Sequence, residues 1–151
     1  MEYQKKKKQR SVWERKWIQR RKLHGAYNAL SRELRMEDPS QLRNFIRMSA
    51  EDFEELSSWI APMFQKMDTN MRQAISVGER LMLTLRFLAT GDSYASLSYL
   101  FRIPANTICG IVPEVCQALS DVLQEKGFLK VLKILLQFTT YYDLLFKYFL
   151  N

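Results

Sequence analysis

Apolar residues recur along this chain at intervals of three and four, the spacing that places them on one face of a helix. Phe53, Leu56, Ile60 and Phe64 make one such stripe, introduced by Ser49-Ala50-Glu51-Asp52, a capping box in its S-x-x-[DE] form. Leu81, Leu85 and Leu88, widened by Met82 and Phe87, make a second. Ser76 and Glu79 form its capping box, and Thr90-Gly91-Asp92 closes it. Upstream, Tyr27, Leu30 and Leu34 predict a helix over Gly25 to Arg35, broken at Glu37-Asp38-Pro39-Ser40, after which Phe45, Ile46 and Met48 begin a new apolar cluster. Gly plus Pro content is low, which favours helices over β-rich folds. The fold this pattern predicts is all-α: a small helical bundle behind a basic, flexible N-terminal arm.

The segment SYASLSYLFRIPANTICGIV, Ser93 to Val112, predicts a helix-turn-helix. Leu97, Leu100 and Phe101 share one face of its first helix, which Ser93 caps. Pro104 has no amide proton and pushes Ile103 towards extended geometry, so Arg102-Ile103-Pro104-Ala105 reads as the turn, with Ile103 as its apolar peg. Asn106 reads as the N-cap of the second helix, whose buried stripe is Ile108, Ile111, Val112 and Val115. That helix is expected to continue to about Glu125, bent at Pro113 after two turns, with Gly127 closing it.

Charge changes the picture more than composition does. The 151 residues carry a net +7. Met1 to Arg47 holds 14 Lys/Arg against 5 Asp/Glu, Met48 to Lys126 holds 6 against 10, and the remainder holds 3 against 1. A basic arm on a mildly acidic core suits contact with a polyanion, because attraction to phosphate needs no special geometry. Three regions follow: an arm over residues 1–22, a helical domain over 23–126 and an apolar tail over 127–151. Lys5, Lys6, Lys7, Lys8, Arg20, Arg21, Lys22 and Arg102 are the candidate phosphate contacts, with Asn106 and Thr107 the candidate base contacts. Lys5 to Lys8 also reads as a nuclear import signal, so the expected location is the nucleus, with the cytoplasm as the other compartment.

Other chemistry is thinly represented. Cys109 and Cys116 lie seven residues apart on one expected helix, about 10 Å and beyond disulfide reach, and read as small buried core residues in a reducing compartment. His24 is the single histidine, and no cysteine pair has ligand spacing, so no metal site is expected. Glu51, Asp52, Glu54 and Glu55 read as a solvated helix start beside the positive end of its dipole. Trp13 and Trp17, four apart among basic residues, are expected to pack on the protein's own core or on a missing domain, with base stacking and membrane contact as the other readings. The N-terminus is charged and has no apolar h-region, so no secretory signal is expected. Lys133, Gln137, Asp143 and Lys147 interrupt the aromatic tail, which falls short of the roughly 20 apolar residues of a membrane span, so a membrane partner is not expected.

Three ordered blocks carry a family resemblance: RNFIRMSAEDFEELSSWIAP (Arg43 to Pro62), DTNMRQAISVGERLMLTLRFLATGDSYASLSYLFRI (Asp68 to Ile103) and TICGIVPEVCQAL (Thr107 to Leu119). Together with the leader VWERKWIQRRKLHGAYNALSRELR they resemble the N-terminal region of Harbinger-type transposases and the host nucleases derived from them. The resemblance spans Val12 to Val131. It implies a helical, helix-turn-helix-containing domain ahead of a catalytic domain of RNase-H-like fold, in which an acidic triad binds two divalent metals for phosphodiester cleavage and strand transfer. None of the acidic residues here matches that triad, so no catalytic residue, metal ligand or cofactor is carried over. The expected function is a DNA-binding or targeting domain of a truncated nuclease-like protein, without catalytic activity of its own. The alternative is a protein-interaction module for a Myb-like DNA-binding partner or the full-length nuclease. Two departures stand out. Leu132 to Asn151 resembles nothing in the family. The second helix has no Lys or Arg from Pro104 to Leu119, and Gly110 stands where the family often has a polar or basic residue. Major-groove reading relies on such residues.

Overall fold

The structure, a computed structural model, describes residues 14–64 and 73–126. Among these residues eight α-helices and one 3₁₀ turn occur, and no strand: α1 (Lys16–Gln19), α2 (Arg21–His24), α3 (Leu30–Glu37), α4 (Pro39–Ile46), α5 (Ala50–Ile60), the 3₁₀ turn Ala61–Phe64, α6 (Val77–Thr90), α7 (Tyr94–Phe101) and α8 (Ala105–Glu125).

Local chemistry sets most of the boundaries. The side-chain oxygens of Ser49, Ser76 and Ser93 accept from the amides of Asp52, Glu79 and Ser96, satisfying donors that the first helical turn leaves free. Gly91 ends α6 at φ 66°, a left-handed conformation that costs glycine little. The Glu37 to Ser40 break is present, but Asp38 also starts a helix: its carboxylate accepts from Ser40 and Gln41, and Pro39 occupies the first helical position. The upstream helix is shorter than the expected Gly25 to Arg35, because residues 26–29 form a turn and regular helix begins at Leu30.

α6 is the centre of the bundle, packed on α4, α5, α7 and α8. Every residue from Gly78 to Thr84 is buried, so α6 is enclosed on all sides rather than along the one expected stripe. Phe53, Ile60, Leu81, Leu97, Phe101, Ile103, Ile108 and Val115 form the core with it. An added Cβ at Gly78 would lie 2.3 Å from the Tyr27 hydroxyl, so the missing side chain is what lets Tyr27 lie against α6. Two charged residues in this buried stretch are paired: Arg80 reaches Glu114 of α8 at 3.0 Å, and Glu79 reaches Arg21 of α2 at 2.8 Å.

α7 and α8 are joined by three residues. Arg102 takes φ 54°, Ile103 is fully buried and Pro104 is extended. Here the Asn106 cap is corrected. Pro104 occupies the N-cap position, its carbonyl accepts from Thr107 and Ile108, and Asn106 lies exposed inside the first turn. The helix starts one residue past the proline because Pro104 already has the extended geometry an N-cap needs. α8 then runs unbroken through Pro113, which is exposed. Cys109 is also exposed, contrary to the expectation of a core residue: it lies about 100° round the helix from Ile108, outside the buried stripe of Ile108, Ile111 and Val112. Cys116 is half-buried.

Candidate nucleic-acid interface

The leader, α1 and α2, is seated on the end of α7. Ala26 donates its amide to the Leu100 carbonyl at 3.0 Å, and Arg102 Nη1 donates to the Trp17 carbonyl at 2.9 Å. Gly25 passes so close that an added Cβ would lie 2.6 Å from the Arg21 carbonyl and 3.1 Å from that of Phe101. The Trp17 ring packs beside Tyr99, with centroids 5.9 Å apart and planes 30° apart. Residues 14–22, read from sequence as arm, are therefore part of the packed body, next to the turn between α7 and α8.

Arg21 is the main fastener, and this corrects its assignment as a phosphate contact. It is 9% exposed, donates to Glu79 Oε2 at 2.8 Å and to the carbonyls of Gln73 and Ala74 at 3.0 Å each. A guanidinium occupied in this way cannot also reach a phosphate outside. Trp17, Ile18 and Arg21 stand three and four apart, and Ile18 is buried, so helical spacing carried the signal that Arg21 points inward.

Burial raises the Glu79 carboxyl above its ordinary value of 4.5, and the attraction of Arg21 does not cancel the shift. A carboxyl raised by folding binds its proton more tightly in the native state. Its contribution is therefore fully present below the unfolded value and is lost as pH rises through the folded one. Relative to Glu79→Gln, which lacks this titration, the wild type should lose stability from about pH 4.5 upward. Urea midpoints for both proteins across that range test this, and a constant difference contradicts it.

The other predicted contacts are distributed unevenly. Arg20 and Lys22 are exposed on the leader, together with Arg15 and Lys16, which the residue-by-residue prediction missed. Arg102 is half-buried, and one of its donors is given to the Trp17 carbonyl. Asn106 is exposed and makes no capping bond, and Thr107 is half-buried. Lys5 to Lys8, Trp13 and the tail lie outside the described residues.

Electrostatics separate two faces. From residue 14 to 32 the only acid is Glu14, and from Ser93 to Pro113 there is none, so the leader and the turn present an essentially cationic surface. The outward face of α8 runs through Asn106, Cys109, Gly110, Pro113, Glu114, Gln117 and Asp121. It is neutral at its start and acidic beyond. Elsewhere Arg35 pairs with Glu54 and Arg86 lies 4.6 Å from the centroid of Phe45, while Arg32, Arg43 and Arg47 are exposed on or just after α3 and α4. Tyr99, exposed beside the cationic leader, was also missed. It stands two residues from Leu97, about half a turn from the buried stripe, and that offset was the available signal.

Among the described residues no group of three His, Cys, Asp or Glu side chains is placed to hold a metal ion, and no helix is long and apolar enough to cross a membrane. No family model, curated protein or solved structure matches the chain.

Proposed function

We propose that this chain is the DNA-binding or targeting region of a Harbinger transposase-derived, nuclease-like protein, working in the nucleus without catalytic activity of its own. The observation that carries the reading is the exposed set Arg15, Lys16, Arg20 and Lys22, held beside the turn that leads into α8. In this reading α7 and α8 act as a helix-turn-helix whose main task is to fix the leader. Phosphates meet the leader cations and the remaining donors of Arg102. Base preference comes from Asn106, whose side chain stands at the start of α8 without a capping duty, and from Thr107. One phosphate at each of the four leader cations gives a slope of about −3.6 in log K against log salt, and a fifth at Arg102 brings it to about −4.5. Fluorescence anisotropy of the full chain with a labelled duplex tests this. Binding that falls steeply with salt is expected, and no binding to duplex or to single-stranded DNA at low salt overturns the reading.

A second reading has its own observation. Met63, Phe64 and Ala118 line an open trough between the 3₁₀ turn and α8, edged by Glu114, Gln117 and Asp121. An acidic rim on an apolar floor suits a basic protein partner, such as a Myb-like DNA-binding protein or the full-length nuclease. On this reading Asp121→Lys removes partner binding, while loss of the leader cations leaves it intact.

A further inference from the structure

Tyr99 presents an unusual combination of exposure and order. Its side chain is 75% exposed, although Leu97, Ser98 and Phe101 around it on α7 are buried. One side of the ring is supported by Trp17, whose backbone is in turn fixed by Arg102. The cationic leader flanks it. Among the described residues cations lie over the rings of Phe45, Phe53, Phe64 and Trp59, and none lies over Tyr99. A lone exposed aromatic is ordinary on a protein surface. An exposed aromatic braced by a second ring and bordered by cations, with hardly an acid nearby, has the components of a single-strand binding surface: charge for the backbone and a π-face for a base.

We infer that Tyr99 is a stacking platform for an unpaired base, so the leader surface holds single-stranded or locally opened DNA in preference to intact duplex. The inference rests on the DNA-binding reading and adds the form of DNA that it takes. Bases within a duplex have both faces covered by their neighbours, and a ring standing on a helix surface cannot reach them. An unstacked base can lie on the outer face of Tyr99 while the adjoining phosphates meet Arg15, Lys16 or Arg20. Trp17 holds the ring in place before the ligand arrives, so little side-chain freedom is lost on binding.

The test is anisotropy of the full chain with labelled oligothymidine and with duplex of equal length, for wild type, Tyr99→Ala and Tyr99→Phe. Wild type should prefer oligothymidine. Tyr99→Ala should weaken that binding about tenfold while changing duplex affinity less than about twofold, and Tyr99→Phe should retain the preference. Both variants change an exposed side chain, and matching thermal melts establish that they fold. Equal losses on both ligands, or no loss on either, overturn the stacking role and leave the DNA-binding reading standing. No binding to either ligand overturns both. Binding to phosphatidylserine vesicles that Tyr99→Ala abolishes, without oligonucleotide binding, reassigns the surface to a membrane.

Discussion

Arg21→Ala is expected to cost about 3–5 kcal/mol of folding stability, the loss typical of removing one partner from a buried ion pair. The variant leaves the Glu79 carboxylate, 4% exposed, without its counter-charge. Glu79 Oε1 already has no hydrogen-bond partner, and the carbonyls of Gln73 and Ala74 lose their Arg21 donors as well. The penalty is the exposed cost of a charge held in a poor medium, not the worth of one contact. Two controls separate this from simple loss of packing. Arg21→Met with Glu79→Met should recover most of the stability, since no charge then remains buried. The Arg21→Ala loss should also shrink in acid, where Glu79 takes up a proton. Urea unfolding followed by far-UV circular dichroism measures all three, with a midpoint drop of about 2 M expected for the single variant at neutral pH. A midpoint within about 0.3 M of wild type would show that the leader is not anchored by this pair.

Removing the leader cations is expected to have the largest effect on DNA. Lys16→Ala, Arg20→Ala and Lys22→Ala combined remove three exposed charges from the surface beside the turn. Each phosphate contact contributes about 0.9 to the salt slope, so the slope should become shallower by roughly 2.7. If the titrations converge near 1 M salt, the same arithmetic gives a loss of roughly 10³-fold at 50 mM. The folded state should be little affected, because surface charges without buried partners contribute little to stability. Asn106→Ala should leave the salt slope unchanged and relax discrimination between sequences by about 1–3 kcal/mol. Anisotropy titrations at several salt concentrations measure both. Equal slopes for wild type and the triple variant would place the phosphate contacts elsewhere.

Short-range grammar was legible in the sequence and long-range pairing was not. Ser49, Ser76, Ser93 and Gly91 announce helix ends because their partners lie within four residues. Ile103 was readable as the buried peg because Pro104 constrains the residue before it. Glu79 shows the limit. Its place three residues after Ser76 fits a capping box, yet its carboxylate turns to Arg21, 58 residues away. That distant pairing also made Arg21 read as one of a run of surface cations. Cys109 was misread because apolar character was taken as burial, while its position roughly 160° round the helix from Ile111 leaves it exposed. The helix after Asp38 was missed because Pro39 reads both as a breaker and as a first helical residue, and the apolar residues after it are few.

On the proposed function, DNA meets the leader and the turn rather than the length of α8. Amide chemical-shift mapping of the full chain during titration with duplex and with oligothymidine tests it most directly. Perturbations are expected over Arg15 to Lys22, at Tyr99 and from Arg102 to Thr107, with Glu114, Gln117 and Asp121 unmoved. Perturbations running along the outward face of α8, with the leader amides unchanged, would contradict it.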